Sequence, residues 1–146
     1  MPAYSDLYLS EICRTQGHVF YNIREALPGV DEQWFIEAYM RSHVRHMLDQ
    51  ASPRFAAMPS YELIDWFIEN EQNGEYKRGA EWGGFLPQWA GHIYARYQWR
   101  YDVPSAALLE LLPLTEISRV YPALHQAGWD VAVEKIHEIL TGQSSS

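Results

Sequence analysis

Between Trp82 and Tyr101 the chain reads WGGFLPQWAGHIYARYQWRY, its densest run of aromatic residues. Gly83 and Gly84 interrupt whatever precedes them, and Pro87 suits a first helical turn, where its missing N–H has no intrahelical partner. From there Leu86, Trp89, Ala90, Ile93, Tyr94, Tyr97 and Tyr101 recur at helical spacing and define one broad apolar stripe facing a core. The other side carries Gln88, His92, Arg96 and Trp99, the last three along one flank. A helix with rings on nearly every side is either enclosed by its own fold or lends its second face to a partner.

The remaining segments supply helices to pack against this one. Ser5 is an N-cap with Asp6 in the first turn, and Tyr8, Ile12, Val19, Phe20, Ile23 and Leu27 fall on one side of a helix ended by Pro28 and Gly29. Gly17 weakens it locally. A second helix starts near Asp31 and runs on through Ile36, Met40, Val44, Met47 and Leu48, with Glu37, Arg41 and Arg45 outward. Residues 52–59, SPRFAAMP, form a loop. Ser60 then caps a helix burying Leu63, Ile64, Phe67 and Ile68, and Trp66 stands off that stripe, beside Glu62, Glu69 and Asn70. After the aromatic helix come a short helix between Pro104 and Pro113 and another from Leu114 to Gln126, with a break expected at Tyr121, before Pro122. Asp130 caps the last, with Ala132, Val133, Ile136, Ile139 and Leu140 inward. No stretch alternates with a two-residue period. The expected fold is all-α, a single-domain bundle of about six or seven short helices over residues 1–141, with residues 142–146 a frayed tail.

The chain has 146 residues, 47% of them hydrophobic, enough for one core without a linker. Its net charge of −8 opposes the counterion release that drives nucleic-acid binding and favours a basic protein partner. One cysteine, Cys13, excludes an internal disulfide framework and a cysteine-rich zinc site. No leader or spanning segment is evident, so a cytoplasmic protein without membrane contact is expected.

Catalytic patterns are sparse. His43 and His46 stand three apart, with Asp49 one turn on, but no further ligand converges for a metal. Glu62, Asp65, Glu69 and Glu71 read as a solvated helix face. Gly83-Gly84 lacks the Lys-Ser or Lys-Thr of a phosphate loop, and no cofactor is implied. Arg41 and His46, in RSHVRH, resemble the arginine-to-histidine motif of helical HEPN ribonucleases, which would make the chain a nuclease or a degenerate relative. On an ideal helix these two point about 140° apart.

A second resemblance covers Phe85 to Ile139. Trp89-Ala90-Gly91-His92-Ile93-Tyr94, then Tyr121 and His125, then Asp130-Val131-Ala132-Val133 resemble a pattern in small, uncharacterised bacterial helical proteins. Those proteins look like companions of small toxins, some resembling ADP-ribosyltransferases, which implies an antitoxin or immunity role.

The leading expectation is a non-enzymatic acidic protein that masks a basic surface of a toxin or effector. Trp66, His92, Arg96 and Trp99 would be its anchors, with Glu62, Asp65 and Glu69 the acidic surround, and a homodimer is compatible. The alternatives are the nuclease using Arg41 and His46, and a small-molecule sensor holding its ligand among Trp82, Phe85 and Tyr97 in a pocket of about 300 Å³ or more.

Overall fold

The computed structural model describes residues 2–142; the rest of the expected tail lies outside the described residues. About 70% of the chain is helical, no strand occurs among the described residues, and one main core with a small satellite cluster around Cys13 makes a single all-α domain. The helices are α1 (Leu9–Ala26), α2 (Glu32–Met40), α3 (His43–Leu48), α4 (Pro53–Ala56), α5 (Ser60–Glu71), α6 (Leu86–Tyr101), α7 (Ser105–Leu111), α8 (Leu114–Leu124) and α9 (Trp129–Thr141). No described helix is long and apolar enough to cross a membrane.

The aromatic helix is the axle of this arrangement. Pro87 sits in its first turn, Asp102 closes it in the left-handed region, and none of its 16 residues is exposed. Its second face is therefore largely covered by its own fold, with Gln88, His92 and Arg96 left half-buried. α1 crosses it where Gly17 meets Gly91: a Cβ on Gly91 would lie 2.9 Å from Gly17 Cα, and one on Gly17 would lie 3.0 Å from the Gln88 carbonyl oxygen. Gly17 is thus a close-packing site, where absence of a side chain lets two backbones approach. On another side the Tyr94 hydroxyl donates to the Leu112 carbonyl at 2.6 Å, after α7. On a third, Arg96 and Arg100 pair with Asp130 and Glu134 of α9 at 2.9 and 2.7 Å.

The segment expected to run as one helix from Asp31 to Leu48 is two. Ser42 stops α2 and caps α3: its Oγ donates to the Tyr39 carbonyl at 2.6 Å and accepts from Arg45 N at 3.0 Å. Glu71, far from a purely solvated face, accepts from His43 N and Val44 N at 2.8 and 3.1 Å, satisfying free N–H groups of the α3 start. The break turns Arg45 inward, against the expected outward placement, and it is 1% exposed. Its Nη1 donates to Gln16 Oε1 at 2.7 Å and its Nε to Ser105 Oγ at 2.8 Å, with Asp49 Oδ1 at 3.7 Å. Asp49 accepts in turn from Ser105 N at 2.7 Å, and Tyr39 donates to Gln16 at 2.8 Å. A buried charge is tolerable when paired and hydrogen-bonded in this way.

Smaller departures have local causes. Ser60 begins α5 instead of capping it, its Oγ accepting from Asn22 at 3.2 Å. α8 continues past Tyr121: Pro122 falls in its last turn, where its missing N–H costs one bond in a helix that ends two residues later. Gly128, not Asp130, precedes α9, freeing Asp130 for Arg96. Tyr8 and Ile139 are exposed. Before α6, the chain from Gln72 to Phe85 straps over the α1–α2 turn: Asp31 N donates to the Lys77 carbonyl, and buried Glu32 is held by Arg24 at 3.2 Å and by Trp82 N at 3.1 Å.

Candidate functional site

A cleft of about 760 Å³ opens between α1, the first turns of α6, α8 and the start of α9. Its walls are aromatic. Trp89 meets Tyr121 edge-on with centroids 5.3 Å apart, and Tyr121 stacks on His125 at 4.6 Å. Trp129 lies flat against His92, centroids 3.6 Å apart and planes 9° from parallel. Phe85, 69% exposed, forms the rim and runs parallel to Tyr21 of α1.

Two polar atoms of these residues, Trp89 Nε1 and His92 Nε2, are buried and have no hydrogen-bond partner among the described residues. Burial, with the Arg96 charge adding to it, pushes the His92 imidazole down to about 4, so it is neutral at pH 7. Arg96 itself is committed: its Nε donates to Asp130 Oδ1 at 2.9 Å, a bond that also lowers the Asp130 carboxyl.

Arg14 differs. Of the 11 lysines and arginines, it alone has no ion pair, hydrogen bond or ring contact among the described residues. It lines the cleft from α1, as does exposed Glu11, one turn earlier and also without an ion pair.

Comparison with protein-family models, curated proteins and solved structures yields no match. What the cleft can do follows from its own atoms. It offers flat aromatic surfaces and one charge of each sign, with two buried polar atoms of its lining residues left without partners among the described residues.

The residues singled out in the sequence are dispersed. His92 and Arg96 meet at the cleft, joined by Trp89, Tyr121 and His125 of the aromatic pattern noted above. Trp99 is elsewhere: its Nε1 donates to the Tyr4 carbonyl at 2.7 Å and it packs on Leu9, Cys13 and Ala95. Trp66 is half-buried, edge-on to Phe55 at 5.0 Å and beneath the Arg54 guanidinium, with Glu62, Asp65 and Glu69 exposed around it. Arg41 pairs with Glu110 at 3.1 Å, and exposed His46 lies against Gln50. Each is engaged away from the other. Asp49 is buried and bound to Ser105 while His43 and His46 stay exposed, and the described residues contain no group of three or more His, Cys, Asp or Glu able to hold a metal. Cys13 is buried, and burial pushes its thiol up to about 12, far from a reactive thiolate. Of the sensor residues, Phe85 lines the cleft, Trp82 packs against the core, and Tyr97 lies toward α9, 2.8 Å from His137.

No motif in the sequence marks Arg14, Glu11 or Trp129 as site residues. Their only signal in the sequence is the spacing of Glu11 and Arg14, which puts both on one helix face.

Proposed function

We propose that this protein binds a small, flat-ringed molecule in the cleft between α1, α6, α8 and α9, and acts as a binding or sensing protein without catalysis. The observation that carries this reading is the pair Trp89 Nε1 and His92 Nε2, buried without partners in an aromatic wall. Folded proteins pair nearly all such atoms, because an unpartnered one forfeits its hydration for nothing. A ligand heteroatom would complete them, and rings of Trp89, Tyr121 and Trp129 would cover its faces. The volume falls within the range of small-molecule sites.

The test is a ligand-observed and protein-observed NMR screen with flat-ring fragments. Binders should shift the Trp89 and Trp129 indole N–H resonances. Shifts confined to other tryptophans, or none, would remove the reading.

The acidic face of α5 favours a second one. Glu62, Asp65 and Glu69 are exposed around Trp66 without ion pairs among the described residues, and Tyr61 beside them is 60% exposed. Such a face suits a basic protein partner, as an immunity or antitoxin role would require. Co-purification from the native host should recover that partner, and reversing the three carboxylates to lysine should lose it. Equal recovery by the reversed variant would exclude this face.

A further inference from the structure

We infer that the cleft takes a zwitterion carrying a flat ring, of which an aromatic amino acid is the simplest; the inference rests on the cleft being a ligand site. Its lining includes Arg14 and Glu11, spaced three residues apart on α1 and both without a partner among the described residues. The other arginine of the cleft, Arg96, is held by Asp130, so Arg14 is the guanidinium in this lining that is available to receive a carboxylate. Guanidinium and carboxylate match in a two-pronged geometry.

Glu11 decides between an anion and a zwitterion. A purely anionic ligand on Arg14 would stand beside the Glu11 carboxylate and approach a protein of net charge −8. A purely cationic one would meet Arg14. A ligand with one charge of each sign uses both side chains and, being neutral overall, is not repelled on approach. Its ring then extends inward to Trp89, His92 and Trp129. There a ring N–H would meet the neutral imidazole, or a ring acceptor the Trp89 N–H.

Calorimetric titration with four related probes separates the parts: L-tryptophan, indolepropionate without the ammonium, tryptamine without the carboxylate, and bare indole. Tryptophan should bind tightest, by about three- to tenfold in Kd over each of the other three, because a singly charged probe meets one unlike and one like charge and indole meets neither. Arg14→Gln should reduce tryptophan to the level of tryptamine, and Glu11→Gln should reduce it to that of indolepropionate. Both side chains are exposed, so neither change threatens folding. Arg119→Gln, which alters net charge equally but lies outside the cleft, should leave the order intact. If indole binds as tightly as tryptophan, or the order ignores Arg14 and Glu11, the zwitterion is overturned while the ring site stands. If one singly charged probe outbinds tryptophan, the zwitterion is again overturned. If none of the four binds, the zwitterion falls, and the fragment screen decides the ring site independently.

Discussion

A Cβ on Gly91 would lie 2.5 Å from the Gln16 carbonyl oxygen, closer than any real side chain sits. The blocking atom is backbone and cannot rotate away. Helix propensity alone would make Gly91→Ala stabilising by about 1 kcal/mol. Overpacking at the crossing should reverse that sign and destabilise the fold by about 1–3 kcal/mol. Gly17→Ala meets a carbonyl at 3.0 Å and should cost less. Urea denaturation of both variants checks the order; a more stable Gly91→Ala protein would mean the helices can part.

Asp49→Ala should be among the most damaging single changes. It strands the buried Arg45 charge and leaves Ser105 N unpaired, a loss of about 3–5 kcal/mol. Ser105→Ala removes one hydroxyl between the two charges and should cost about 1–2 kcal/mol. Equilibrium unfolding distinguishes them, and equal effects would show that the hydroxyl, not the charge pair, holds α3 to α7.

Stability should fall with acid through His92. Its folded value of about 4 lies below the ordinary 6.5, so the unfolded chain takes up the proton first. The contribution is complete above about pH 6.5, is lost as pH falls toward 4, and amounts to roughly 3 kcal/mol. Arg96 on its own helix, Asp130 on α9, Glu11 and Arg14 on α1, Tyr121 on α8 and His125 just after it are the charged or titratable groups at this cleft. The difference in unfolding free energy between wild type and His92→Gln, followed from pH 7 to 4, isolates the imidazole. A constant difference would show it to be solvated. Trp129→Ala should return its titration toward 6.5.

Trp89→Ala should cost about 3–5 kcal/mol, since the ring is 5% exposed and borders the core. Trp66 is half-buried against Phe55, so Trp66→Ala should cost about 1–2 kcal/mol, leaving a folded protein in which partner capture by α5 can be measured. Melting curves rank the two. Equal losses would make Trp66 a core residue.

What the sequence disclosed followed from local periodicity. Ile12, Val19, Phe20 and Ile23 of α1 and Trp89, Ile93, Tyr94 and Tyr97 of α6 are buried as their spacing implies. Arg45 escaped because a continuous helical count carries across Ser42, whose hydroxyl resets the phase. The cleft escaped in part for a different reason. His92 and Arg96 are visible as one helical flank, but Trp129 and Arg14 reach them through packing between segments distant in sequence, which no local period encodes.

The enclosure of α6 bears on how such a chain can diverge. With no residue of that helix exposed, it offers no site where drift goes unanswered. A larger side chain at Gly91 demands a reply at Gln16 or Gly17, one at Arg96 a reply at Asp130, and one at Tyr94 a reply near Leu112. Paired changes should therefore mark the lineage of α6, while the exposed face of α5 is left to vary with whatever it meets.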